Sequence, residues 1–219
     1  MTIKQSIIQF PDIGLNTRDA HKIRGYFGNL FKEQSPLLHN HWDDGSLRYA
    51  YPMVQYKVID GRPVLVGFEE GGDLLVSLFL KIKELIIDDR QYLVLAKNIH
   101  QKNIELTVNQ QLYSYKFKTL WMGLNQKNFK LYQQITDEEK KGFLNRQVQN
   151  NILSFYKAFD FRVSDKIMVT AGLTEKQTKF KDKPMLAFSG SFTSNAFIPD
   201  YCGLGKSVSR GFGTVVMEH

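Results

Sequence analysis

Two histidines one residue apart, in the stretch Leu38-His39-Asn40-His41-Trp42-Asp43-Asp44, form the most direct acid–base feature of the sequence. A strand would aim both imidazoles at one side of the backbone, and a loop would still keep them within reach of one substrate. Imidazole titrates at about 6.5 when unperturbed, and two neighbouring imidazolium charges repel, so one ring stays neutral while the other holds its proton. That is what metal-free RNA cleavage needs: a base for the ribose 2′-hydroxyl proton and an acid for the departing 5′-oxygen. Tyr49 and Lys57, a few residues on, are the candidates for stabilising the extra phosphorane charge. His21, on an expected helix, is held in reserve. The same stretch admits a rival, because His39, His41 and Asp43 could ligate zinc or manganese. The acid–base assignment is taken here, with no metal and no cofactor expected.

A second feature is Gly203-Leu-Gly205-Lys206-Ser207-Val-Ser209-Arg210-Gly211-Phe-Gly213. A Walker loop ending at Lys206-Ser207 would need glycine where Asp200 stands, and a long helix afterwards. A dinucleotide fingerprint needs another glycine spacing and an acid about 20 residues further on, past the last residue. What is left is a tight turn offering backbone N–H groups, the Ser207 and Ser209 hydroxyls and the Lys206 and Arg210 cations, a composition suited to RNA phosphates. Gly203, Gly205, Gly211 and Gly213 complete that candidate binding set. Between Lys97 and Lys130 stand six lysines against the single acid Glu105, with Tyr113, Tyr115 and Phe117 alternating with polar residues. This is the pattern of a strand with one apolar and one solvated basic face. Cys202, the one cysteine, has no neighbouring histidine or elbow motif and is expected to pack as a buried thiol.

These residues need a scaffold, and 219 residues with 42% hydrophobic content suffice for a sizeable core in one or two domains. A net charge of +7 favours a polyanionic partner. The longest apolar run, Leu74–Leu80, falls far short of the roughly 20 residues that span a bilayer, and no signal-like stretch opens the chain, so no membrane and a cytoplasmic location are expected. The first hundred residues spell β, α, β, β, α, β. A strand over Thr2–Phe10 precedes a helix over Arg18–Lys32 capped by Asn16 or Thr17. A hairpin follows over Met53–Val58 and Pro63–Phe68, turning at Asp60-Gly61. An amphipathic helix over Leu74–Ile86, ended by Asp88-Asp89, leads to a strand over Tyr92–Ala96. That order is the split βαβ, ferredoxin-like pattern. The second half reads as another α+β unit. Ile104–Leu120 looks like paired strands around Asn109-Gln110-Gln111. A capping box at Thr136 and Glu139 starts a long helix. Lys166–Ala171, Gln177–Lys181 and Pro184–Phe192 are three short β-like runs, and Gly211–Met217 closes the chain.

The stretch Gly203–Thr214 resembles the glycine-rich signature of the CRISPR-associated repeat-RNA endoribonucleases of the "Cas six" type, b subfamily. Asn125–Tyr132, Asn150–Lys157, Ala187–Phe192 and His39-x-His41 with Tyr51–Lys57 are similar to further blocks of that subfamily, so the resemblance covers most of the chain. It implies an α+β protein of two tandem ferredoxin-like (βαββαβ), RNA-recognition-motif-like domains, residues 1–100 with the catalytic histidines and 101–219 with the glycine-rich RNA-binding loop. It also implies metal-independent cutting of CRISPR precursor RNA within each repeat, leaving a 2′,3′-cyclic phosphate and a 5′-hydroxyl. His39 and His41 match the subfamily's paired histidines, and Tyr49, Tyr51 and Lys57 match less closely. The expected partners are CRISPR repeat RNA, proteins of a CRISPR interference complex and a second copy of the chain. A non-cleaving RNA-binding subunit of an interference complex is the alternative from the same superfamily.

Overall fold

A computed structural model describes residues 1–31, 51–180 and 183–218. The chain divides into two compact units. One holds Thr2–Glu105 together with Val208–Gly211, and the other holds Met1, Leu106–Ser207 and Phe212–His219.

The first unit opens with β1 (Thr2–Gln9), a 3-10 turn (Thr17–Asp19) and α1 (Ala20–Leu30), followed by β2 (Val54–Ile59) and β3 (Arg62–Phe68). The Asn16 backbone N–H donates to the Asp19 carboxylate at 3.0 Å, which satisfies one donor at the entry to the helical segment. Ala20, Ile23, Phe27 and Phe31 then fall at helical spacing and are buried against Ile8, Tyr56, Val58 and Leu65 of the sheet. Asp60 and Gly61 both take positive φ, 48° and 77°, as a two-residue hairpin turn between β2 and β3 requires. The four-stranded sheet is completed by β6 (Asn98–Glu105) in the order β2-β3-β1-β6, every pair antiparallel. This is the ferredoxin-like order.

Between β3 and β6 the structure corrects two expectations. The helix read over Leu74–Ile86 is α2 (Glu70–Leu78) with a single 3-10 turn after it. Leu85 and Ile86 instead lie on β4 (Glu84–Ile87), paired with β5 (Arg90–Leu93). Leu85 and Ile87 are buried while Ile86 is 43% exposed, a period of two that a short apolar run does not distinguish from a helical stripe. Asp88 and Asp89, read as a helix stop, form the hairpin turn at φ 48° and 62°. The segment read as the closing strand, Tyr92–Ala96, contributes only to this small hairpin, and β6 closes the sheet. β6 is an edge strand whose His100, Gln101 and Lys102 are exposed, so no alternating apolar pattern marks it.

The second unit runs β7 (Val108–Phe117), α3 (Gln126–Tyr132), α4 (Asp137–Lys157), β8 (Val169–Phe180), β9 (Lys183–Ala196) and β10 (Val215–Met217). Its sheet order, β10-β7-β9-β8, is the same permutation, with β7, β8, β9 and β10 as first to fourth strands. A turn expected at Asn109–Gln111 is a bulge inside the continuous β7, where the pairing with β9 shifts register and Asn109 Oδ1 accepts from Gln111 N at 2.8 Å. The three expected short runs are the two long strands β8 and β9. Tyr115 and Phe117 are buried as the alternation implied, with the Tyr115 and Phe192 rings 5.2 Å apart, and Lys116 and Lys118 are exposed. Among the described residues no helix is long and apolar enough to cross a membrane.

α4 begins at the expected capping box: Glu139 N donates to Thr136 Oγ1 at 3.4 Å, and Thr136 N donates to the Glu139 carboxylate at 2.9 Å. Replacing Thr136 by Ala removes one of these reciprocal bonds and should lower unfolding stability by about 1 kcal/mol in urea titrations, with an unchanged m-value.

Candidate nucleic-acid interface

In the second unit the crossover between β9 and β10 carries the glycine-rich segment where a ferredoxin-like domain has its second helix. Its two limbs run antiparallel. Tyr201 N donates to Val215 O at 2.8 Å, Val215 N to Cys202 O at 2.9 Å and Leu204 N to Gly213 O at 2.8 Å, with Gly203 bridged to Thr214. The approach is too close for side chains at the glycines. A Cβ on Gly213, whose φ is +63°, would stand 1.9 Å from Leu204 O. One on Gly205, at φ +88°, would stand 2.8 Å from Met122 O and from Trp121 Nε1. Gly203 and Gly213 are buried, so these glycines serve backbone contact inside the protein, and the exposed chemistry falls to the tip between them. Cys202 is buried, with its thiol 3.7 Å from Gly203 O, as a packing residue.

At that tip Lys206 is exposed while its backbone N–H is tied to Met122 O at 2.9 Å. Ser207 takes a positive φ of 57°, and Val208–Arg210 form a 3-10 turn. Val208–Gly211 pack in the first unit, against α1 and β2. Gly211 again permits the fit: at φ +89° its missing Cβ would lie 2.6 Å from Ala20 Cβ, 3.3 Å from Tyr56 O and 3.7 Å from Lys57 Cα. The structure thus joins three residues of the sequence-based set, Arg210, Gly211 and Lys57, at one place on β2. Lys57 is fully buried, on the sheet face that also carries the fully buried Gln5 and Gln55. Ser209 and Arg210 are half-buried. His39, His41, Asp43 and Tyr49 lie outside the described residues.

No local pattern marks Arg24, one helical turn after Ala20 on the flank of α1 that receives this tip. Burial holds its guanidinium below the ordinary arginine value, and the positive charge of Arg210 adds to that effect, with Tyr56 acting in the opposite sense. Burial also keeps the Tyr56 phenol protonated, well above the usual tyrosine range. The juxtaposition depends on residues some 185 positions apart in sequence, which is why periodicity within α1 could not reveal it. His21 is exposed on α1, and its Nδ1 lies 2.7 Å from Arg18 O. A carbonyl only accepts, so Nδ1 carries the hydrogen and Nε2 points away.

Family models match both halves of the chain: the Cas6b N-terminal domain over residues 1–105 and the Cas6b C-terminal domain over residues 107–217. A crystal structure of Cas6b superposes over the full length of both chains with a TM-score of 0.95 and 37% sequence identity. A crystal structure of the CRISPR RNA processing endoribonuclease Cas6b does so with a TM-score of 0.81 and 33% identity. An uncharacterized protein of Methanocaldococcus jannaschii is 35% identical over 143 residues, 64% of this chain and 96% of that protein.

The two kinds of residue in the loop are separable by substitution. Gly213→Ala forces a methyl group into Leu204 O at a left-handed backbone position, and should cost more than about 2 kcal/mol of folding stability. Lys206→Ala, at an exposed tip, should stay within about 0.5 kcal/mol of the parent in the same thermal melts.

Proposed function

The chain belongs to the Cas6b family of CRISPR RNA processing endoribonucleases, and on that premise we propose that it cuts CRISPR precursor RNA within the repeats by metal-independent attack of the RNA's own 2′-hydroxyl. One imidazole of the His39/His41 pair takes the 2′-hydroxyl proton as the oxygen attacks the adjacent phosphorus. The other gives its proton to the departing 5′-oxygen, so the products are a 2′,3′-cyclic phosphate and a 5′-hydroxyl. The pair ends each cut with the base protonated and the acid deprotonated, and exchange with water restores it. Tyr49 is assigned to the negative charge that builds on the phosphorane oxygens, where preorganised donors act most strongly, while the full burial of Lys57 takes it out of that role. The basic tip of the glycine-rich loop, Lys206 to Arg210, holds the RNA backbone.

The observation that carries this reading is the match of both domains to one RNA-processing family in a chain bearing two closely spaced histidines. A protein with 33% identity over the whole length is a CRISPR RNA processing endoribonuclease, and its substrate class is carried over here on that likeness.

With the chain's own repeat RNA in excess EDTA, a single cut per repeat is expected, and none when the ribose at the cut lacks its 2′-hydroxyl. Replacing His39 and His41 together by Ala should reduce the single-turnover rate at least about 100-fold while leaving RNA affinity nearly intact. Cleavage that returns only with added divalent metal would overturn the mechanism and make His39, His41 and Asp43 metal ligands. Lys206→Ala and Arg210→Ala should instead weaken binding and flatten its salt dependence by about 0.7 in log–log slope for each single-strand phosphate no longer neutralised. An unchanged slope would remove the loop from the binding surface.

A further inference from the structure

Within the second unit the glycine-rich loop stands on a seat built around Trp121. This residue is fully buried, its ring centroid 5.5 Å from that of Phe117 and 5.6 Å from that of Phe188. Its backbone pairs in both directions with Phe188: Trp121 N donates to Phe188 O at 2.8 Å, and Phe188 N to Trp121 O at 2.9 Å. Gly123 makes room for the ring, since a Cβ there would stand 2.2 Å from Trp121 Cζ2. An indole has one polar atom, Nε1, which only donates, and here it donates to Asn151 Oδ1 of α4 at 3.0 Å. A Cβ on Gly205 would lie 2.8 Å from that same Nε1, 2.8 Å from Met122 O and 3.0 Å from Asn151 Oδ1, so the loop backbone passes all three atoms at close range. Lys206, the next residue, is exposed and donates its backbone N–H to Met122 O at 2.9 Å. For folding alone an apolar pair in place of Trp121 and Asn151 would serve nearly as well. What the hydrogen-bonded pair adds is a single setting of indole and amide beneath Gly205.

We propose that Asn151 is a positioning residue for RNA binding: through the Trp121 indole it holds Gly205, and so sets where the Lys206 ammonium meets the RNA backbone. The assignment rests on the RNA-processing reading above and adds to it a residue of α4 that acts through Lys206 and touches no RNA itself. Without the Asn151 oxygen the buried indole N–H loses its acceptor, and the other oxygen at the seat, Met122 O, already holds Lys206 N. Indole and Lys206 amide then compete for one carbonyl, and the loop gives way. A lysine is a point charge on a long flexible stem, so where its ammonium can reach follows from where its backbone is fixed.

The test uses the full-length chain and its repeat RNA, with folding checked by thermal melts. Asn151→Ala should lower RNA affinity about threefold to tenfold and flatten its salt dependence by about 0.7 in log–log slope, the share of one single-strand phosphate. The double variant Asn151→Ala/Lys206→Ala should bind like Lys206→Ala alone, because the first substitution acts through the second residue. The single-turnover rate at saturating RNA should stay at the parent's value, as for a residue that affects binding and not the chemical step. Asn151→Ser keeps a hydroxyl too short to reach the indole and gives a milder variant with the same expected slope, so a folding failure of Asn151→Ala leaves the proposal testable. A parental slope in either folded variant would overturn the positioning role while leaving RNA processing intact. So would losses that multiply in the double variant. A parent chain that binds no repeat RNA, or a Lys206→Ala variant with an unchanged slope, would overturn the RNA reading of the loop itself, and the role of Asn151 with it.

Discussion

At Gly211 the backbone comes so near helix α1 that a single methyl group there would meet Ala20 at 2.6 Å, well inside van der Waals contact. Much of the candidate site follows from this approach. It seats the 3-10 turn Val208–Arg210 on α1 and β2 of the first unit, places Arg210 on the same flank of α1 as Arg24, and brings the loop onto the backbone of Tyr56 and Lys57. A second close approach lies within the other unit, where Gly213 stands against Leu204 O and the two limbs form a short ladder. The glycines are therefore structural in their own right. They let polypeptide pass where side chains would exclude it, and so decide where the cations between them are delivered.

The electrostatics have a matching logic. Elsewhere on α1 the fold answers a cation with carboxylates: two hydrogen-bonded aspartates, Asp88 first and Asp19 second, raise the proton affinity of Lys22. At Arg24 the influences run the other way, with burial and then a neighbouring arginine lowering it. The net charge of +7 acts on polyanions as a whole.

Local physics makes a good part of the architecture legible. The Asp60-Gly61 turn, the strand before it, the α1 stripe of Ala20, Ile23 and Phe27, and the Thr136/Glu139 box each depend on residues within a few positions of one another, so their spacing alone specifies them. Sequence and structure part where short range is ambiguous. Ile82, Leu85 and Ile86 suit a helical stripe and a strand nearly equally well, and the choice is made by pairing across Asp88-Asp89 with residues that bury Leu85 and Ile87 together. β6 escapes a reading by pattern because an edge strand with His100, Gln101 and Lys102 in solvent carries little apolar signal, although all eight of its residues register against β1.

For the site, the sequence by itself determined the chemistry on offer: two imidazoles spaced for acid–base work, a glycine-framed turn with Lys206 and Arg210, and an excess of positive charge. Residue type fixes what a side chain can donate, accept or titrate, whatever the fold. Tertiary structure alone decided which of these groups meet. It buried Gly203 and Gly213 as points of close backbone approach, buried Lys57 on the strand whose backbone Gly211 touches, and drew Arg24 into the company of Arg210. The last two of those relations join residues about 150 to 190 positions apart, and all are set by strand order and by how closely two backbones can approach, neither of which leaves a periodic trace in the chain.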